Sequence, residues 1–155
     1  MHGLAISLDD RLVASASHDD TLRWWDLATG QELGCWRHPD GQWLRGVTID
    51  PNGEILAITS YSPQVEVWAV QANQCRHQLV GHSRDIWQVF ISPDRQYLAT
   101  ASQDDEIRLW QLDRGSCQQI LRPDRPYEGV NIRGATGLSG PETTMLRSLG
   151  AMVSY

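Results

Sequence analysis

The sequence predicts an all-β fold made of three copies of one four-stranded antiparallel unit. Tryptophan recurs at nearly equal spacing, at Trp25, Trp68 and Trp110, and each one ends a run in which apolar and polar residues alternate. Each unit of about 42 residues contains four such strand-like runs, separated by turn residues. A fixed period of this kind indicates one supersecondary unit that is repeated three times.

The strands follow in the same order in each unit. Strand a is apolar at alternate positions, strand b is rich in alanine, strand c carries the tryptophan, and strand d is more polar, as suits an outer edge. Turn residues such as Pro51, Gly53 and Pro93 lie between strands a and b. The predicted units cover about residues 3–37, 43–79 and 86–121.

Residues 122–155 break the period. The segment 122–137 is rich in proline and glycine and reads as a loop. A short helix is predicted over about 140–149, because Ser139 and Glu142 form a capping box and Pro141 suits the first turn. Gly150 then suits the end of this helix.

With these columns aligned, residues 3–121 resemble a run of WD40 repeats, each of which is one blade of a β-propeller. The resemblance implies three four-stranded antiparallel blades of a WD40-type β-propeller, an incomplete ring, with a short C-terminal helix. Residues 122–132 are similar to the C-terminal ends of bacterial, especially cyanobacterial, multi-domain WD-repeat proteins. The chain then represents the C-terminal part of such a protein.

The resemblance also implies a buried hydrogen-bond set in each blade. The set consists of a histidine before strand a, a serine or threonine that ends strand b, an aspartate in the b–c turn and the strand-c tryptophan. The third blade has His82, Ser102, Asp104 and Trp110; the second has His38, Ser60 and Trp68, with Ser62 at the aspartate position; the first has Ser17, Asp19 and Trp25, and its histidine position precedes Met1.

Two kinds of chemistry have residues of the right type but no fitting pattern. His82, Ser102 and Asp104 have the residue types of a nucleophilic triad, but buried polar groups of a blade satisfy each other in the same way. Cys75, His77 and His82 match no closed zinc spacing, and no phosphate-binding loop is present. We therefore expect no catalytic residue, metal or cofactor.

A partner-binding surface is expected at one rim of the blades. By resemblance, the positions at the start of strand a and just before the b–c aspartate lie on the top rim, which commonly contacts partners in WD40 proteins. Exposed tryptophan, tyrosine and arginine dominate interface energetics. The candidate rim residues are Trp43, Arg45, Tyr61, Asp85, Trp87, Gln103 and His18.

Composition excludes other classes of partner and location. The net charge is −6, and all 13 cationic side chains are arginines spread singly along the chain, so no nucleic-acid footprint is present. No signal sequence or membrane span is recognisable, which predicts a cytoplasmic protein without a membrane partner.

Three blades are too few to close a ring, because propellers typically have four to eight. We expect either a fragment of a longer repeat protein or a homo-oligomer in which copies complete the ring. The predicted function is a protein–protein interaction scaffold or sensor without catalysis of its own. The alternatives are a hydrolase-type propeller with a site at the channel mouth, where Asp85 and His18 are candidates, and a truncated reading frame that needs self-association.

Overall fold

The structure is a computed structural model that describes residues 1–124, 130–132 and 139–152. These residues form twelve strands and one helix, and the predicted fold class is confirmed. The strands are β1 (Gly3–Ile6), β2 (Leu12–Ala16), β3 (Thr21–Asp26), β4 (Glu32–Arg37), β5 (Leu44–Ile49), β6 (Ile55–Ser60), β7 (Gln64–Ala69), β8 (Gln74–Val80), β9 (Ile86–Ile91), β10 (Tyr97–Ser102), β11 (Ile107–Gln111) and β12 (Ser116–Leu121); the helix α1 spans Gly140–Ser148.

The chain divides into two compact units, Met1–Leu121 and Arg122–Tyr155. In the second unit, the Ser139 hydroxyl accepts a hydrogen bond from the backbone of Glu142, whose carboxylate accepts the backbone N–H of Ser139. The part of the tail prediction that concerns residues 125–129 and 133–138 lies outside the described residues. Where the chain is described, no helix combines the length and the apolar character that a membrane crossing requires.

Each blade of the first unit is a simple antiparallel meander, β1 to β4, β5 to β8 and β9 to β12. The a–b turn of every blade contains a residue with left-handed backbone, Asp10 (φ 55°), Gly53 (φ 71°) or Arg95 (φ 61°). A side chain at the start of the same turn accepts the N–H five residues later, which closes the hairpin; these side chains are Ser7, Asp50 and Ser92.

The tryptophan of strand c faces the preceding blade. A bulge in the pairing of strands c and d comes directly before each of Trp25, Trp68 and Trp110. Trp68 packs on Trp36 of the first blade, with ring centroids 4.8 Å apart, and Trp110 belongs to the core between the second and third blades. The repeat that the sequence shows is therefore a repeat of blade-to-blade packing.

The second interface also contains an ion pair between a partly exposed arginine and a buried carboxylate. The Arg95 guanidinium in the third blade lies 2.8 Å from an Asp50 carboxylate oxygen and 2.6 Å from Glu54, both in the second blade. Asp50 is fully buried, and its other oxygen accepts the N–H groups of Glu54 and Ile55. Because a buried carboxylate needs such compensation, this contact fixes the pairing of the two blades.

The middle blade is covered on both faces, and the outer blades on one. Leu4 and Val89 occupy equivalent positions of strand a, but Leu4 is 60% exposed and Val89 is 7% exposed. Trp25, which packs against no earlier blade within the described residues, is half-buried. On the opposite face of the third blade, Phe90 is 68% exposed and Ile107 is 45% exposed. Within the described residues of the first unit, two apolar sheet faces are therefore open.

Candidate binding surface and buried polar sets

A continuous chain of hydrogen bonds crosses the third blade. The Trp110 indole N–H donates to Thr100 Oγ1 (2.9 Å), and Thr100 Oγ1 lies 2.7 Å from His82 Nε2. His82 Nδ1 lies 2.9 Å from an Asp104 carboxylate oxygen. These hydrogen-bond partners determine which ring nitrogen of His82 carries the proton. His82 donates through Nδ1 to the carboxylate and accepts the Thr100 hydroxyl at Nε2. Every buried polar group in this series of hydrogen bonds, from Trp110 to Asp104, has a partner.

Ser102 was predicted to belong to this hydrogen-bond set, but Thr100 is the residue that connects the histidine and the tryptophan. The Ser102 hydroxyl donates to the carbonyl oxygens of Arg84 and Asp85 instead, and it accepts the backbone N–H of Asp104. Both side chains lie on the same face of β10, since they are two residues apart. The register decides between them: Thr100 pairs with Arg108, which brings its hydroxyl beside Trp110.

Asp104 anchors the b–c turn of this blade. Burial acts to raise the pKa of its carboxyl group, but hydrogen bonds from the Ser83 backbone, the His82 ring and the Glu106 backbone outweigh burial. The pKa falls from 3.8 to about 2. The charged carboxylate is therefore the form that the folded blade stabilises.

These residues support neither a catalytic triad nor a metal site. Thr100, His82 and Asp104 have the order of a nucleophilic triad, but Thr100 is only 1% exposed and already accepts the Trp110 indole N–H. In the described part of the chain, the one cluster with metal-ligating geometry is His82, Asp104 and Glu106. His82 uses both ring nitrogens for hydrogen bonds, and Glu106 binds Arg108. Cys75 and His77 are not part of it.

The second blade keeps the histidine and the tryptophan but does not connect them. Ile58 stands where the third blade has Thr100, and the Trp68 indole donates to Glu66 (3.0 Å). His38 Nδ1 accepts the backbone N–H of Asp40. Ser60 lies 2.9 Å from the Ser62 hydroxyl, at the aspartate position. The second blade therefore differs from the third at two positions of the set: Ser62 replaces the aspartate, and Ile58 replaces the threonine. The second difference was not predicted from the sequence.

The first blade retains only its turn contacts. Asp19 accepts both the backbone N–H (3.1 Å) and the hydroxyl (2.6 Å) of Thr21, and the Ser17 hydroxyl accepts the backbone N–H of Asp19. No hydrogen bond from the Trp25 indole is found among the described residues. Its face of the sheet has no preceding blade to pack against.

Five of the seven rim residues form one surface cluster, called here the aromatic patch: His18, Trp43, Arg45, Tyr61 and Trp87. The His18 and Trp43 rings are stacked, 4.8 Å apart, and Tyr61 meets Trp43 edge-on at 6.1 Å. The Arg45 guanidinium lies 4.8 Å from the Tyr61 ring and 5.9 Å from the Trp87 ring. Trp43 and Trp87 are more than half exposed. The patch therefore joins the same end of all three blades.

His2 extends the patch, and the sequence reading missed it. Its ring stacks on His18 with centroids 4.3 Å apart. Desolvation, with the positive charges of His2, the N-terminus and Arg45, lowers the pKa of His18. The Nε2 atom of His18 is buried and has no hydrogen-bond partner within the described residues. A neutral ring in a stack is the form that this environment favours.

Asp85 and Gln103 contact each other rather than the patch. The Gln103 backbone N–H donates to the Asp85 carbonyl oxygen, 2.9 Å away. Both residues lie at the end of the third blade where strand b ends and strand a begins. They border the b–c turn, and their described contacts involve backbone groups.

We expect Thr100→Val to destabilise the chain by about 2 kcal/mol, because it leaves two buried ring nitrogens without partners. In an NMR spectrum, the same substitution shifts the indole N–H signal of Trp110. Ser102→Ala is the matched control, since it also removes a buried hydroxyl but not the contact with Trp110. An equal displacement of the Trp110 signal by both substitutions would contradict the assignment.

The pKa of Asp104 predicts a loss of stability in acid. Because this pKa is lower in the folded than in the unfolded protein, the stabilisation is complete above 3.8 and is lost as the pH falls towards about 2. Asp104→Asn should cost about 1–2 kcal/mol near neutral pH and progressively less below pH 4.

Denaturant titrations at several pH values measure this effect, with Asp105→Asn as the control in the same turn. Asparagine tolerates the left-handed backbone of Asp105 (φ 63°), so the control keeps the turn. A cost of Asp104→Asn that is constant from pH 7 to pH 2 would show that the charge does not contribute.

Known proteins provide an independent comparison. The family model described as WD domain, G-beta repeat matches residues 2–26 and 73–111. The chain is 31% identical to Periodic tryptophan protein 2 of Arabidopsis thaliana over 105 residues, which are 67% of this chain and 12% of that protein. It is 28% identical to Target of rapamycin complex subunit LST8-1 of Arabidopsis thaliana over 137 residues, which are 87% of this chain and 42% of that protein.

A third relative is DDB1- and CUL4-associated factor 10 of Homo sapiens, which is 25% identical over 146 residues, 88% of this chain and 26% of that protein. The chain thus spans less than half the length of each of these three relatives. The family model matches β1 to β3 of the first blade, all of strand d (β8) of the second and β9 to β11 of the third. Together with the three four-stranded blades, these matches support the assignment of the chain to the WD40 repeat family.

Proposed function

We propose that this chain is a protein-interaction module that binds a partner protein through the aromatic patch. The observation that carries the proposal is the convergence of two tryptophans, a tyrosine and an arginine from neighbouring blades on one exposed surface. Residues of these types dominate the binding energy of protein interfaces, and an isolated structural role does not require them to be exposed.

The patch is held in place before a partner arrives. Trp43 stacks on His18 and meets Tyr61 edge-on, while Arg45 is positioned over Tyr61 and Trp87. These contacts restrict the rotamers of large side chains, so that less side-chain entropy is lost on binding. The strands beneath the patch hold its backbone, because Leu44 and Ile86 beside it are fully buried.

The relatives support the same class of function. One is named as a subunit of the target of rapamycin complex, and another as a factor associated with DDB1 and CUL4. Both names describe proteins that act in assemblies with other proteins. We extend only this general role to the present chain, as a scaffold or sensor module without catalysis of its own.

The open faces of the first and third blades are the second part of the proposal. Leu4 on one face, and Phe90 and Ile107 on the other, are exposed where the middle blade buries the corresponding residues. Further repeats of a longer parent protein, or a second copy of this chain, would cover them. A bacterial multi-domain parent and a cytoplasmic location belong to this proposal as well.

Selection of peptides from a displayed random library against the purified chain tests the binding surface. Selected peptides should bind Trp43→Ala/Trp87→Ala at least about tenfold more weakly than the original chain, because the double variant removes the two largest contact side chains. Binding is measured by fluorescence anisotropy with labelled peptides.

Phe90→Ala serves as the control, since Phe90 is equally large and exposed but lies on an open blade face. Thermal unfolding of all variants separates binding from folding. Unchanged peptide affinity in a double variant of lower thermal stability would assign Trp43 and Trp87 a structural role and contradict the proposal.

A further inference from the structure

The second blade contains a polar pocket where the third blade is closed. Its volume is about 190 Å³, enough for a small polar group and several times the volume of one water molecule. The pocket lies where His38 and Trp68 fail to connect. Its lining is His38, Pro39, Asp40, Gln42, Leu44, Ile58, Ser60, Ser62, Gln64, Glu66 and Gln78.

Alignment of the two blades on their tryptophans shows which residues of the third blade are equivalent to the pocket residues Glu66 and Gln64. Arg108 lies two residues before Trp110, and its guanidinium donates to Glu106 at 2.7 and 3.0 Å. Both side chains are largely buried. Glu66 and Gln64 occupy the same two positions before Trp68. The second blade therefore has a carboxylate where the third has a guanidinium, and a neutral amide where the third has a carboxylate.

This exchange leaves Glu66 without an arginine. Its side chain is 14% exposed, and among the described residues the one basic residue with a nitrogen within 4 Å is His38, whose Nε2 lies 3.9 Å from Oε1. That distance is too long for a hydrogen bond. The other carboxylate oxygen accepts the Trp68 indole N–H. Burial of the thiol and the charge of Glu66 raise the pKa of Cys75.

His38 also lines the pocket. Its side chain is 10% exposed, and its Nδ1 atom accepts the Asp40 backbone N–H. The Nε2 atom of the same ring lines the pocket without a hydrogen bond to the described residues. Because Nδ1 accepts this hydrogen bond, Nε2 carries the ring proton and faces the Glu66 carboxylate.

We propose that this pocket binds the cationic head group of a lysine or arginine side chain of the partner protein. The lining includes two carboxylates, the oxygens of three glutamine amides and two hydroxyl groups, and it includes no lysine or arginine. Such a set of acceptors suits a donor-rich cation and disfavours an anion. The ligand's charge replaces the one that Arg108 supplies in the third blade.

The position of the pocket connects it to the aromatic patch, and the inference therefore rests on the proposed function. Gln42 precedes Trp43 in the chain, and Ser60 and Ser62 flank Tyr61. A peptide on the patch can thus place a basic side chain in the pocket. The pocket selects for a basic residue, while the patch provides apolar contact area.

NMR titration of the full chain tests the pocket directly. The probes are Nα-acetyl-lysine-N-methylamide, the corresponding arginine and norleucine derivatives, and the free diamine putrescine. The reporter is the indole N–H of Trp68, which donates to Glu66, and the reference is the indole N–H of Trp110, which donates to Thr100. The expected result is a saturable shift of the Trp68 signal with the lysine or arginine probe, and none with norleucine.

Two variants establish the role of the carboxylate. Glu66→Gln should weaken the cationic probes by at least about tenfold. Gln64→Glu/Glu66→Arg rebuilds the ion pair of the third blade and should abolish binding with the fold intact, as circular dichroism would show. Glu32→Gln is the control, because this glutamate is exposed and pairs with Arg23.

The proposal would be overturned if the Trp68 signal did not shift with either amino-acid cation, or if it shifted equally in the original chain and in Glu66→Gln. The pocket would then hold only water. Stronger binding of putrescine than of the capped amino acids would contradict a protein partner as the source of the cation. The variant Trp43→Ala/Trp87→Ala distinguishes the two proposals, because its Trp68 signal should respond to the capped probes as in the original chain. If selected peptides also bind this variant normally, only the proposed function fails.

Discussion

Face-to-face packing of the blades is the constraint on which the rest of this structure depends. A four-stranded sheet with two apolar faces is stable only if neighbours cover both, and the strand-c tryptophan is placed to cover the blade that precedes it. Trp68 and Trp110 meet this requirement, and Trp25 does not. The same constraint makes every residue of β6 buried and leaves Leu4 and Phe90 in water.

Within that packing, the second and third blades treat their polar groups differently. The third blade connects Trp110, Thr100, His82 and Asp104 in one closed chain and neutralises Arg108 with Glu106. The second blade lacks the threonine and carries Glu66 in the arginine position, so its polar groups line a pocket. Apolar packing fixes the blade in both cases, which frees the polar residues of the second blade for binding.

The periodicity of the sequence predicts the strands and the blades, and the capping box predicts the helix, because alternation, turn residues and caps are local signals. The aromatic patch was also accessible, since its five members fall in three columns of the repeat. Thr100 was not, because Thr100 and Ser102 share a face and only the strand register distinguishes them. His2 was accessible too, because it precedes Trp25 by the same 23 residues that separate Arg45 from Trp68 and Trp87 from Trp110. The pocket was not, because it depends on side-chain contacts that spacing along the chain does not encode.

Hydrogen exchange of backbone amides in dilute solution tests most directly whether blade packing controls stability. The amides of β6 and β7, in the doubly covered blade, should exchange more slowly than those of β2 and β3 or of β10 and β11. This order is expected although the second blade lacks the closed polar chain. Slowest exchange in β10 and β11 would contradict the account, because the polar chain around Thr100 would then outweigh the coverage of the sheet faces.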